Sequence, residues 1–185
     1  MKKLFLGIII ATTFMACKKQ DSPLPTTSET EIAKDSLGTT SDLPSQLPEL
    51  KENEIAELLK TKDNDTLYIT NFFATWCGPC MIEIPHFKEE MEKLKNEKVK
   101  FTFVSVDQRD DWETKVKEFG NIQGLNQNIV LFDMYQASPD FASKNTQQWK
   151  GDAIPFTRMS KGQKVDETVG TLSKEDIRKK IQSFQ

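Results

Sequence analysis

A β-rich, near-continuous apolar run, Thr66 to Phe73, leads almost directly into Trp76-Cys77-Gly78-Pro79-Cys80, and the next residues read as a helix. This junction constrains the fold more than any other stretch. An apolar run of this kind suits a strand buried on both faces, as in the middle of a sheet. A cysteine at the first turn of a helix sits among unpaired backbone N–H groups and the positive end of the helix dipole, which favour thiolate over thiol. The Cys-x-x-Cys spacing lowers the pKa of its first thiol into the physiological range, which makes Cys77 the expected nucleophile. Cys80 follows nearly one turn later, close enough to close a small disulfide ring. Gly78 relieves crowding, and Pro79 suits a first-turn position where no N–H is required. A structural disulfide, or half of a metal site, is the plain alternative. A second Cys-x-x-Cys is absent, so one chain cannot build a four-cysteine zinc site.

The third cysteine has a different setting. Lys2 and Lys3 precede a twelve-residue apolar run, Leu4 to Met15. That length fits the core of a secretory signal and falls short of the roughly 20 residues that span a bilayer. The run ends Phe14-Met15-Ala16-Cys17, which resembles the bacterial lipoprotein signal, although Phe14 stands where leucine is common. The resemblance implies a signal peptide over 1–16 and a lipidated Cys17 that anchors the chain to a membrane. An ordinary signal with an incidental cysteine is the alternative. Loss of Lys2 and Lys3 would take the formal charge from −3 to −5. Residues 17–48 then read as a lipidated start and a flexible polar tether: four of the eight prolines lie there, and no aromatic residue occurs between Phe14 and Tyr68. A coil of about 30 residues would hold a domain roughly 30 Å from its anchor. A net charge of −3 without a basic cluster argues against nucleic-acid binding. With His86 the sole histidine, every multi-histidine metal site is excluded.

Residues 49–185 read as one α/β domain. Helices are expected over Leu50–Lys60, Pro79–Lys95, from Asp110 or Asp111 to Phe119, over Pro139–Trp149 and from Ser173. Strands are expected over Thr66–Phe73, Val99–Val106 and Ile129–Phe132. A β-hairpin follows, Phe156–Ser160 and Gln163–Thr168 flanking Lys161-Gly162. Helices between strands followed by a hairpin imply a central mixed β-sheet flanked by helices on both faces.

Trp-Cys-Gly-Pro-Cys resembles the thioredoxin active site, and Asn71 to Cys77 through Glu83 and Pro85 resembles the exported TlpA/ResA-like branch of that superfamily. Pro85 matches a proline that kinks the active-site helix. Ala153-Ile154-Pro155 resembles the cis-proline loop that faces the cysteines, and Val169-Gly170-Thr171-Leu172 the closing segment whose glycine lines the substrate groove. The resemblance implies a thioredoxin-like fold and a redox-active Cys77–Cys80 pair with no other cofactor. It also implies a substrate strand paired with the Ile154 backbone, in a groove shaped by Trp76, Pro155 and Gly170.

Two departures matter. Cytosolic thioredoxins bury an Asp and a Lys behind the cysteines, and Asn71 and Phe103 stand at those positions here. Glu83, three residues after Cys80 and on the same side of the helix, is the natural substitute for moving the Cys80 proton. A solvated surface acid is the alternative. The Gly-Pro dipeptide resembles that of reducing members, so the resemblance implies a monomeric, membrane-anchored protein-disulfide reductase on the non-cytoplasmic, periplasmic side of the cell envelope. Its substrates would be exported proteins such as apocytochrome c or misoxidised envelope proteins, with a transmembrane thiol donor to regenerate it. Rival readings are a copper metallochaperone using Cys77, Cys80 and His86, and a thiol peroxidase. The Pro-x-x-x-Thr-x-x-Cys setting of peroxiredoxins is absent.

Overall fold

The computed structural model describes residues 46–185. The expected signal peptide, Cys17 and most of the tether lie outside the described residues. Five strands form one sheet in the order β3-β2-β1-β4-β5, with β1 (Leu67–Phe73) at its centre. On one side β1 runs parallel to β2 (Val99–Ser105), and β2 parallel to β3 (Ile129–Leu131). On the other side, β4 (Phe156–Lys161) pairs antiparallel with β1 and with β5 (Lys164–Val169). The sheet is therefore mixed, as expected. The apolar run predicted to be central is central: every residue of β1 except Tyr68 is buried.

Helix α1 (Glu52–Leu59) precedes β1, and α2 (Gly78–Lys93) follows it, continuing through Pro85. The α3 segment spans 109–123, with π-helical Trp112–Val116 between two α-helical parts. Asp110 and Asp111, expected as caps, lie inside its first turn, and Gln108 takes the cap position. Helix α4 is Phe141–Asn145, and α5 (Lys174–Gln182) begins at Ser173, whose Oγ accepts the Asp176 N–H at 3.2 Å. Helix α5 packs against α2, and α4 against α1. Among the described residues no helix is long and apolar enough to cross a membrane.

Two boundaries differ from the sequence expectation for a physical reason. The helix expected to reach Trp149 stops at Asn145. The Thr146 hydroxyl lies 2.9 Å from the Ala142 carbonyl and 3.0 Å from that of Trp149, and the next two N–H groups, of Gln147 and Gln148, donate to Glu167 at 2.8 Å each. Side-chain partners thus replace the helical ones, and Trp149 turns into the core. Packing also begins slightly before residue 49. Leu47 is buried, the Pro48 carbonyl accepts the Leu131 N–H at 2.8 Å, and the Leu50 N–H donates to Leu131 at 2.9 Å, so this short stretch covers the outer edge of β3.

The core is strongly aromatic. Trp149 stacks on Phe156 at 4.7 Å with planes 7° apart and lies 4.7 Å from Phe72, while Phe103 contacts both Phe73 and Phe87 edge-on. One ion pair is buried among these layers. Arg158 on β4 faces Glu167 on β5 and bonds to it, and its Nε donates to the Leu59 carbonyl at 2.9 Å. Glu167→Ala would strand the guanidinium and two backbone N–H groups. A loss of about 3–5 kcal/mol in unfolding free energy is expected in denaturant titration. Glu167→Gln keeps an acceptor and should lose less; a loss below about 1 kcal/mol for the alanine variant contradicts this account.

Candidate active site

The site is assembled where β1 hands over to α2. After Phe73 the chain turns, with the Cys77 N–H donating to the Ala74 carbonyl at 3.0 Å. Cys77 is the N-cap of α2, and its Sγ accepts the Cys80 N–H at 3.2 Å. Pro79 falls in the first turn, where a missing N–H costs nothing. The two sulfurs are bonded as a disulfide. Cys80 is fully buried and Cys77 nearly so, at 5% exposure, whereas Trp76 beside them is 61% exposed. Of the two cysteines, Cys77 is the less completely buried.

Asp107, just past the end of β2, holds the turn in place. Its buried carboxylate accepts the Thr75 N–H at 3.0 and 3.1 Å, the Thr75 hydroxyl at 2.6 Å and the Ser105 hydroxyl at 2.8 Å. Sequence reasoning missed this residue. An acid after an apolar strand and before Gln108-Arg109 reads as a loop residue, and nothing local connects it to Thr75, 32 positions away.

Glu83 lies inward, one turn along α2 from Cys80, and is fully buried. Its Oε1 accepts from the Asn71 amide at 2.7 Å and its Oε2 from the Leu172 N–H at 2.8 Å. Asn71 also donates to Thr157 Oγ1 at 3.0 Å, while its own Oδ1 has no partner among the described residues. Asn71 pairs directly with Phe103 on β2, so the two positions that depart from the cytosolic pattern are neighbours in the sheet. Burial against this apolar surface pushes the Glu83 carboxyl from an ordinary 4.5 up to about 7, against the weaker opposing pull of the Leu172 N–H and the Asn71 amide. Such a group exchanges its proton near neutrality.

The other expected residues converge from the far end of the chain. The Ile154–Pro155 peptide bond is cis and leads into β4. The Gly170 N–H donates to the Pro155 carbonyl at 2.8 Å, with Gly170 at φ +101°, a conformation that favours glycine. The segment 170–172 is thus tied to the Pro155 loop at one end and to Glu83 at the other. Trp76 and Ile154 both line one cleft. His86 is half-buried on α2, and its Nδ1 lacks a hydrogen-bond partner among the described residues. Those residues contain no cluster of three or more His, Cys, Asp or Glu side chains that could hold a metal ion, so His86 is not brought together with the cysteine pair.

The raised Glu83 pKa has a thermodynamic signature. Between about pH 4.5 and 7 the folded state holds a proton that the unfolded state has released, so stability falls as pH rises through this window. From the shift to about 7, the wild type should lose about 3 kcal/mol between pH 4 and 8 through this group. Glu83→Gln should remove that loss; parallel wild-type and variant curves of unfolding free energy against pH contradict it.

Comparison with known proteins agrees with this geometry. The thioredoxin family model matches residues 48–148. A thioredoxin of Coprinus comatus is 28% identical over 89 residues, covering 47% of this chain and 84% of that protein. The thiol-disulfide oxidoreductase ResA of Bacillus subtilis is 29% identical over 112 residues, covering 57% of this chain, which spans 60% of ResA. The crystal structure of a thioredoxin-family thiol:disulfide interchange protein from Chlorobium tepidum superposes with a TM-score of 0.51 at 22% identity, covering 75% of this chain and 95% of its own, and shows the shared fold. With a family match over more than half its length, a mixed five-stranded sheet and a Cys77–Cys80 disulfide capping the first helix after the central strand, the chain belongs to the thioredoxin family of thiol-disulfide oxidoreductases.

Proposed function

We propose that the chain is a protein-disulfide reductase of the cell envelope, lipid-anchored through Cys17 with its catalytic domain on the non-cytoplasmic side. The observation that carries the chemistry is the buried Glu83 carboxyl, one turn beyond Cys80, with a pKa near neutrality. In the reduced protein the Cys77 thiolate attacks one sulfur of a substrate disulfide. A Cys77–substrate bond forms and the other substrate sulfur leaves as a thiolate. Glu83 takes the proton of the Cys80 thiol, and the Cys80 thiolate then attacks Cys77 Sγ. The second substrate thiolate leaves, the substrate has gained two electrons, and Cys77–Cys80 is oxidised. Trp76, Ile154, Pro155 and Gly170 form the groove that receives the substrate strand.

The direction of electron flow is supported by the Gly78-Pro79 dipeptide, which resembles that of reducing members. Regeneration then requires a transmembrane thiol donor, and the substrates are exported proteins, apocytochrome c among them. The envelope location rests on the Lys2-to-Cys17 pattern. Nothing among the described residues favours the copper reading over this one.

Cys80→Ser should accumulate mixed disulfides through Cys77, and Cys77→Ser should not; identical behaviour of the two variants would refute the nucleophile assignment. A reduction potential as oxidising as about −120 mV would refute the reductase direction. Glu83→Gln should slow resolution of the mixed disulfide about 100-fold at pH 7 in single-turnover measurements. The deficit should shrink above about pH 8.5, where a thiol ionises unaided.

A further inference from the structure

The chain between β3 and β4 builds something the cysteine motif does not require. Together with Trp76 and Ile154, residues Met134, Tyr135, Trp149 and Asp152 enclose a cleft of about 320 Å³. Its lining includes Trp76, the residue before Cys77, and Ile154, the residue before Pro155. That volume is at the low end of the roughly 300–1,000 Å³ of ligand pockets, enough for a side chain rather than a folded partner.

Its wall is fixed. Trp149 is buried, stacked on Phe156, and donates from Nε1 to the Ala153 carbonyl at 2.7 Å. The indole therefore sets the backbone that enters Ile154–Pro155. Gly151 sits at φ +81°, a backbone conformation that residues with side chains rarely adopt, and it packs against Met134 and Ala142. The rim is the opposite: Trp76 is 61% and Tyr135 68% exposed. Two large aromatic side chains left in solvent at one cleft are a recognition feature. Asp152 is the sole charged side chain among the cleft's lining residues, and it is exposed.

We propose that this cleft is a specificity subsite for the polypeptide carrying the target disulfide: it takes one bulky apolar side chain next to the substrate cysteine, with a neighbouring Lys or Arg set against Asp152. The apolar lining selects the side chain, and the single negative charge selects a cation and disfavours carboxylate-rich thiols such as glutathione. The cleft's continuity with Trp76 and Ile154 aligns such a segment with Cys77. This subsite rests on the oxidoreductase reading of the cysteine pair and names the substrates that pair would prefer.

The test separates the two. Ten-residue peptides with serine in place of the cysteine, carrying Phe or Gly before it and Lys or Glu after it, are titrated into the oxidised protein and followed by backbone NMR shifts. The Phe/Lys peptide should bind at least about ten-fold tighter than its Gly counterpart, with shifts at Tyr135, Asp152 and Ala153. Tyr135→Ala should erase the Phe preference, and Asp152→Lys should reverse the Lys-over-Glu preference. Both side chains are exposed, so neither change threatens folding. The corresponding peptide disulfides are then offered to the reduced protein, and kcat/KM should follow the same order. Equal binding of all peptides, shifts away from the cleft, glutathione disulfide binding as tightly as the Phe/Lys peptide, or turnover indifferent to the flanking residues would each overturn the subsite. Selective binding at the cleft with no reduction of any peptide disulfide would uphold the cleft and refute the reductase reading instead.

Discussion

A carboxyl group sealed between a helix and a sheet ties the redox end of this protein together. Glu83 belongs to α2, its Oε1 is held from β1 by Asn71, its Oε2 from the segment before α5 by Leu172, and Asn71 reaches on to Thr157 of β4. A buried ionisable group is costly unless its hydrogen bonds are satisfied or it stays neutral. Here both routes operate: two donors point at it, and burial keeps it protonated up to about pH 7. Four parts of the chain must be correctly placed for this to hold, so the proton-handling group and the packing around the cysteines are one arrangement.

The absence of a second acid beside it follows from the same physics. An aspartate at position 71 would face Glu83 at hydrogen-bond distance, and two adjacent buried carboxyls cannot both ionise. Asn71 offers donors without charge, and Phe103 beside it offers neither. The result is one titrating group where a coupled pair would otherwise titrate in two steps. Asp107 holds a different post. With four hydrogen bonds from Thr75 and Ser105, it fixes the turn that presents Trp76 and Cys77.

Much of this was legible in the sequence because it is local. The central strand is announced by its unbroken apolar run, the active-site helix by Cys77-Gly78-Pro79, and the last helix by Ser173. Spacing after Cys80 left Glu83 open between a proton handler and a solvated surface acid, resemblance favoured the first, and its complete burial was not legible. The cis bond at Pro155 came from resemblance alone, since composition distinguishes no cis proline from a turn proline. What stayed hidden depends on long-range partners. Thr75 with Asp107 and Gln147 with Glu167 join residues 20 or more positions apart, and the second of these shortened a helix whose local pattern ran on to Trp149. The cleft wall was invisible for the same reason: Trp149 is held in place against Phe72 of β1, far away in the sequence, as well as against the nearby Phe156.

The two margins of the sheet are protected by different means. At the β5 margin, Lys164 and Asp166 place charge along the strand, and Asp166 is paired with Lys180 of α5. The β3 margin reads Ile129-Val130-Leu131, with no charge in it, and is shielded instead by the stretch from Leu47 to Leu50. An uncharged apolar edge invites pairing with another chain. The few residues leading into the domain are therefore part of its solubility: a chain cut just beyond them would retain every side chain of the redox site and yet offer an open, adhesive border to its own copies.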